Sequence, residues 1–259
     1  MSDNRSDSSS VSDGKIERVF ALLSTQGADL LKSVQAGDAH LANLNPAQAI
    51  PAYQQAVSLY NSIPANLAQE VGALTETEVN EVLSRSGADE QARALIRNAA
   101  LILKRPGWLN ASLTMAFALY ALKSQSFREA AGYYQSASKL YADMDDDPGA
   151  SSLAEYAQAM AQFATGNDYA MRGQRDEALA QIEQAISTLE SDLMPSAGAD
   201  DGDRLLMDLM GFKTTKYMIA LSSDAISGDF AVGLHRAGEV LSQLDDTDRV
   251  VERANVPRP

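Results

Sequence analysis

The chain has 259 residues and a formal net charge of −14, with 45% hydrophobic and 22% charged residues. This composition is typical of a folded protein with a substantial core. So acidic a chain is a poor ligand for nucleic-acid phosphates or anionic lipid surfaces, so we expect neither partner. A protein partner that is basic or carries little charge fits better. With no cysteine in the sequence, disulfides, thiolate metal sites and cysteine nucleophiles are excluded.

The two ends of the chain are polar. Residues 1–13 hold six serines and three aspartates without an apolar cluster, which predicts a disordered tail. A plain solubilising role is favoured for this tail, with serine phosphorylation as the alternative. Residues 248–259 predict a flexible C-terminal tail. The sequence shows neither a signal-peptide pattern nor an apolar run of membrane-spanning length, so we expect a cytoplasmic protein.

Between the tails, apolar residues recur at helical spacing almost everywhere. This periodicity predicts an all-α domain over residues 14–247. Asp147-Pro148 has the pattern of a helix start, and Ser196-Ala-Gly that of a loop. The predicted helices are 15–36, 38–43, 47–61, 76–86, 88–104, 108–124, 127–142, 149–171, 175–192, 203–226 and 229–244.

Three segments share one spacing of six positions, 3, 4, 5, 4 and 3 residues apart, and a fourth is weaker. Small residues at the first and fourth positions would let two helices of one hairpin approach closely. The fifth position, four residues after the fourth, carries a large side chain in the three stronger segments. The four sets are Gly37, His40, Leu44, Ala49, Tyr53 and Ala56; Ala118, Ala121, Gln125, Ala130, Tyr134 and Ala137; Gly166, Tyr169, Gly173, Ala178, Ile182 and Ala185; and Leu221, Asp224, Gly228, Gly233, Ala237 and Val240.

These segments resemble tetratricopeptide repeats (TPR), which are helix–turn–helix units of about 34 residues. The units are 30–63, 111–144, 159–192 and, more weakly, 214–247. The resemblance implies a TPR-like helical-hairpin solenoid. The spacing between units is irregular, the usual Trp and Leu of the first helix are missing in most units, and residues 64–107 show no clear repeat. An irregularly stacked helical array is the alternative.

The resemblance also implies a partner-binding groove lined by the first helix of each unit. At the family's groove positions this sequence is apolar and rich in methionine, with almost no cation, so it lacks the residues that grip an acidic C-terminus. Adaptable apolar grooves of this kind suit an amphipathic helix or an apolar peptide. The predicted groove residues are Leu31, Val34, Leu41, Met115, Leu119, Leu122, Met160, Phe163, Asn167 and Met218. Two alternatives are that residues 64–107 fill the groove and that a dimer buries it.

Several aspartates follow the second helix of a unit, at Asp145, Asp146, Asp147, Asp200, Asp201 and Asp203. In a stacked solenoid these loops would form one acidic edge able to steer a basic partner. Helix capping and solubility are the favoured alternative. Neither loop matches a calcium-binding EF-hand. In the first, Pro148 and Ala154 stand where glycine and glutamate are required, and in the second a glycine at the sixth place would put Ala197 at the first.

No pattern in the sequence indicates catalysis. Only two histidines exist, His40 and His235, and no phosphate-binding glycine loop is present. We therefore expect no enzyme activity, no cofactor and no metal. The expected function is that of a non-catalytic adaptor or scaffold that holds a partner protein or peptide in an apolar groove. The alternatives are a regulatory sensor of a peptide or small ligand, and a self-associating subunit of a filament or shell.

Overall fold

A computed structural model describes residues 7–85, 89–144 and 148–227, and this part of the chain is helical with no strand. The helices pack against their neighbours. A π-helical turn, Leu189–Leu193, and a 3-10 turn, Met194–Ser196, follow α10. The α-helices are α1 (Asp7–Ser24), α2 (Gln26–Ala42), α3 (Pro46–Ser62), α4 (Ala65–Gly72), α5 (Glu76–Arg85), α6 (Glu90–Lys104), α7 (Pro106–Lys123), α8 (Phe127–Ala142), α9 (Pro148–Met171), α10 (Arg175–Thr188) and α11 (Ala199–Ser227).

The helix boundaries differ from the sequence prediction mainly near the N-terminus. α1 begins at Asp7, inside the segment predicted as a disordered tail. The predicted helix 15–36 is broken at Thr25, whose hydroxyl donates a hydrogen bond to the Ala21 carbonyl at 2.6 Å. The predicted short helix 38–43 is instead the end of α2, and α4 was not predicted. The predicted helix 229–244 and the C-terminal tail lie outside the described residues.

The chain divides into two compact units, with the boundary between Tyr120 and Ala121 inside α7. In the first unit, α6 packs against α1, α2 and α4. Their apolar faces form a core that includes Leu23, Leu30 and Leu103. At Gly27 an added Cβ atom would lie 3.1 Å from the Cβ atom of Ala99, so α2 and α6 are in close contact there.

The hairpin of α2 and α3 is held by a close glycine–tyrosine contact. A Cβ atom added at Gly37 would lie 2.8 Å from the Tyr53 ring, so only glycine leaves room for this buried side chain. The Tyr53 hydroxyl donates a hydrogen bond to Asp38 at 2.5 Å. Residues 37 and 53 are the first and fifth positions of the repeated pattern, and their contact gives that spacing its physical reason.

The second unit contains the same contact between α9 and α10. A Cβ atom added at Gly166 would lie 2.6 Å from Ile182 and 3.0 Å from the backbone oxygen of Ala178. On the other side of α9, the Ser138 hydroxyl of α8 donates to the Ala154 carbonyl at 2.9 Å. α8, α9 and α10 thus form three successive packed helices, and α11 packs against α10.

Three helix–helix turns have one local geometry. Leu44, Gln125 and Gly173 occupy the third position of the repeated pattern, and all have positive φ, at 51°, 59° and 74°. Each is followed by a residue whose N–H bonds to the carbonyl five residues earlier, at 2.8 Å, 2.9 Å and 2.9 Å. This is a Schellman-type helix end, which favours glycine at the residue of positive φ. The pattern read from the sequence therefore marks a repeated turn.

Among the helices described, none is both long and apolar enough to cross a bilayer.

Candidate functional site

An open groove of about 390 Å³ lies in the first unit, between α2, α6 and the start of α7. We call it the α2–α6 groove. Its wall is mostly apolar, and Leu101 remains 46% exposed there. The polar side chains among its lining residues come from all three helices. The lining consists of Leu31, Val34, Gln35 and Asp38 of α2, Asn98, Leu101 and Ile102 of α6, Arg105, and Trp108, Leu109 and Ser112 of α7.

One carboxylate, Asp38, and one guanidinium, Arg105, stand among the lining residues. Asp38 accepts the hydrogen bond from the buried Tyr53 hydroxyl. Burial of the carboxyl raises the pKa of Asp38, while this hydrogen bond lowers it, and burial has the larger effect. By its accessible surface, however, Asp38 is an exposed residue, so its carboxyl stays in contact with solvent at the groove.

Two of the predicted groove residues, Leu31 and Val34 of α2, line this groove. Leu41, at the end of α2, instead packs against the small cluster of Ala49, Tyr53 and Ala116. The repeat pattern could not predict that α6 lines the groove, because residues 64–107 show no clear repeat. Residues 64–107 thus supply one wall of the groove and leave it open.

Three of the predicted groove residues lie on α7. Met115, Leu119 and Leu122 are half-buried. None of the three is among the residues lining the α2–α6 groove.

On α9, the predicted groove face is covered by α11. The rings of Phe163 and Phe212 stack with centroids 4.1 Å apart and an interplanar angle of 10°. Met160 is buried, and the Asn167 amide donates to the Phe163 carbonyl at 2.8 Å. Met218 of α11 is 62% exposed. The structure therefore places Phe163 in a helix–helix contact, whereas Met218 is exposed on α11.

Sequence reasoning missed a polar network that holds α11. The Tyr156 hydroxyl of α9 donates to Asp208 of α11 at 2.9 Å. The Arg204 guanidinium lies 4.8 Å from the centroid of the Tyr156 ring. Burial raises the pKa of Asp208, and burial together with that carboxylate raises the pKa values of Tyr156 and Tyr134. No local spacing indicates this contact, because Tyr156 and Asp208 are 52 residues apart.

This network predicts a pH-dependent stability. Because the Asp208 pKa is raised in the folded state, its contribution to stability is full below the ordinary value of 3.8 and is lost as pH rises through the raised value. Asp208→Asn keeps an acceptor for Tyr156 without the buried charge, so its stability relative to wild type should increase as pH rises from acid to neutral. Urea unfolding across that range measures the change.

Asp208→Ala is the matched control for that prediction. It leaves the Tyr156 hydroxyl without its acceptor and should cost about 1–3 kcal/mol at neutral pH. Equal destabilisation by Asp208→Asn and Asp208→Ala, with no pH dependence, would contradict the network.

The predicted acidic edge falls largely on residues whose side chains the structure does not describe. Asp145, Asp146 and Asp147 lie outside the described residues. Asp200 and Asp201 belong to the helical backbone of α11, and Asp203 is exposed on the same helix. Within the described part, no group of three His, Asp or Glu side chains is arranged to hold a metal ion.

The chain matches no protein-family model, and comparison with curated proteins and with solved structures likewise gives no match.

Proposed function

We propose that the protein is a non-catalytic binding protein of TPR-like helical hairpins that holds a peptide segment of a partner protein in the α2–α6 groove. The open, apolar groove is the observation that carries this proposal. Leu101 is 46% exposed there, and Trp108 also lines the groove. Large apolar side chains that line a concave surface are the usual anchors of peptide binding.

The hairpin architecture supports this role. α2 is fixed against α3 by the Gly37–Tyr53 contact and against α6 by the Gly27–Ala99 contact. A groove on helices packed this closely is ordered before the peptide arrives, which reduces the entropy cost of binding. The repeated turn geometry at Leu44, Gln125 and Gly173 supports the TPR-like assignment of the hairpins.

A small-molecule sensor is the second candidate, and the groove volume favours it. A volume of about 390 Å³ lies within the range of small-molecule sites. A small ligand that binds only the folded state would raise the melting temperature when a low-mass cell extract is added. Stabilisation by the low-mass fraction without capture of any protein would favour the sensor.

Capture experiments with groove variants test the proposal. Tagged wild-type chain should retain a protein from the source cell in stoichiometric amount, and Leu101→Asp should lose it, because the aspartate places a charge in the apolar wall. Circular dichroism checks that the variant remains helical.

Met171→Asp is the matched control, since Met171 is 71% exposed at the end of α9 and does not line the groove. It should capture the same protein as wild type. Equal capture by wild type and both variants would exclude the α2–α6 groove as the binding site.

A further inference from the structure

α11 covers the face of α9 that carries Phe163. We infer that α11 is a releasable latch, which leaves α9 and α10 as one unit while α8, α9 and α10 stay folded, and that its release increases as pH rises. The latch thereby controls access to the Phe163 ring. It belongs to the second unit of the chain, whereas the α2–α6 groove lies in the first.

The apolar attachment of α11 is confined to the first half of the helix. Among its described side chains, the buried ones are Leu205, Leu209 and Phe212, at helical spacing. Residues 213–221 are half-buried or exposed, and Met218 is 62% exposed. Elements that bury few apolar side chains open at a lower free energy than the helices of a core. This is the packing expected of a helix that opens locally.

Two ion pairs join the second half of α11 to the residues before it. Lys213 pairs with Glu190 at 2.7 Å, and Lys216 pairs with Glu183 of α10 at 3.0 Å. All four side chains keep contact with solvent, at 27–59% exposure. Pairs of this kind contribute little to stability and are screened by salt. They position α11 and add little to the free energy that holds it.

Asp208 makes the docking of α11 depend on pH. Its carboxyl accepts a hydrogen bond from Tyr156 of α9 at 2.9 Å, and its charge acts on the buried Tyr134 hydroxyl of α8. Within α11, the Arg204 guanidinium lowers the pKa of Asp208, as does the Tyr156 hydrogen bond, but burial raises it by more. The charged carboxylate is therefore less favourable in the docked helix than in water.

The direction of the pH effect follows from this raised pKa. Release returns the Asp208 carboxyl to water, where its pKa has the ordinary value of 3.8. The contribution of this group to docking is full below that value and is lost as pH rises through the raised value of the docked helix. Neutral pH therefore favours release more than acid pH does.

The connection before α11 is suited to act as a hinge. Pro195, Ser196 and Gly198 are exposed, and the backbone is extended at Ala197. A Cβ atom added at Gly198 would meet nothing within 4 Å, so the surroundings are open there. Hinges are usually a few loop residues of this kind, which change their dihedral angles without disturbing packed helices.

Amide hydrogen exchange of the full-length protein, resolved by NMR at neutral pH, tests the latch. The amides of residues 205–221 should share one protection factor, at least about tenfold below that of α9 and α10, because local release costs less free energy than global unfolding. Protection that instead declines amide by amide along α11, without a common value, would show fraying and overturn the latch.

Gly132→Ala separates local release from global unfolding. Gly132 lies inside α8, and a Cβ atom added there meets nothing within 4 Å. Because α8 stays folded when the latch is released, the alanine should raise the protection of α9 and α10 by about threefold and leave that of α11 unchanged. An equal rise in α10 and α11 would mean that α11 opens only with the rest of the unit, which overturns the latch.

Asp208→Asn tests the pH dependence. The asparagine keeps an oxygen that accepts the Tyr156 hydrogen bond and removes the charge. The protection of α11 should therefore exceed that of wild type at neutral pH and equal it below pH 3.8, where the wild-type carboxyl is protonated as well. The same ratio of variant to wild type at both pH values would overturn the role of Asp208.

Discussion

Phe212→Ala is expected to lower the free energy of unfolding by about 3 kcal/mol, because it removes a buried aromatic ring and leaves a cavity between helices. The side chain is 2% exposed, and its ring stacks on Phe163 at 4.1 Å. Aromatic pairs in such arrangements contribute beyond their buried area. Urea unfolding followed by circular dichroism gives the value.

Met207→Ala provides the control on the same helix. Met207 is 71% exposed, so its truncation should change the free energy of unfolding by no more than about 0.5 kcal/mol. Equal effects of Phe212→Ala and Met207→Ala would show that α11 does not pack on α9 through this ring. Phe163 would then become available again as a groove residue.

A single methyl group added at Gly166 is expected to be the second most costly change, at about 2 kcal/mol of lost stability. The Cβ atom of Gly166→Ala would lie 2.6 Å from Ile182 and 3.0 Å from the backbone oxygen of Ala178. The side chain can shift, but the backbone oxygen requires that α9 and α10 separate. Thermal or urea unfolding measures the loss.

Gly132→Ala should have the opposite sign. Gly132 lies inside α8, and a Cβ atom added there meets nothing within 4 Å. Alanine then adds helix propensity and reduces the entropy of the unfolded chain, for a gain of about 0.5–1 kcal/mol. If both alanine variants stabilised the protein, the close approach of α9 and α10 at Gly166 would be wrong.

Most helices could be predicted from the sequence because each buries one apolar stripe, and the stripe repeats at helical spacing. The break at Thr25 was missed although Ser24, Thr25 and Gly27 are weak helix formers, because apolar residues recur at helical spacing on both sides of it. α4 was missed because its eight residues are too few to show a period. Gly37 and Gly166 were interpreted correctly as points of close helix approach. In each case the large residue sixteen positions later, Tyr53 or Ile182, packs where a side chain on the glycine would lie.

The candidate site could be predicted only where it follows the repeat. Leu31 and Val34 lie in a unit of the repeat, whereas Leu101 and Trp108, which also line the groove, lie on segments without a repeat. The stacking of Phe212 on Phe163 was equally hidden, because it joins residues far apart in sequence. Packing of this kind depends on where helices cross, and the spacing within one helix does not encode that.

Photo-crosslinking in the source cell tests the central claim most directly, that the α2–α6 groove holds a partner protein. The photoreactive amino acid p-benzoylphenylalanine would replace Leu101 in the groove or Met171 outside it, one position at a time. The account predicts a crosslinked partner from position 101, identified by mass spectrometry, and none from position 171. Crosslinks to the same protein from both positions, or from position 171 alone, would contradict it.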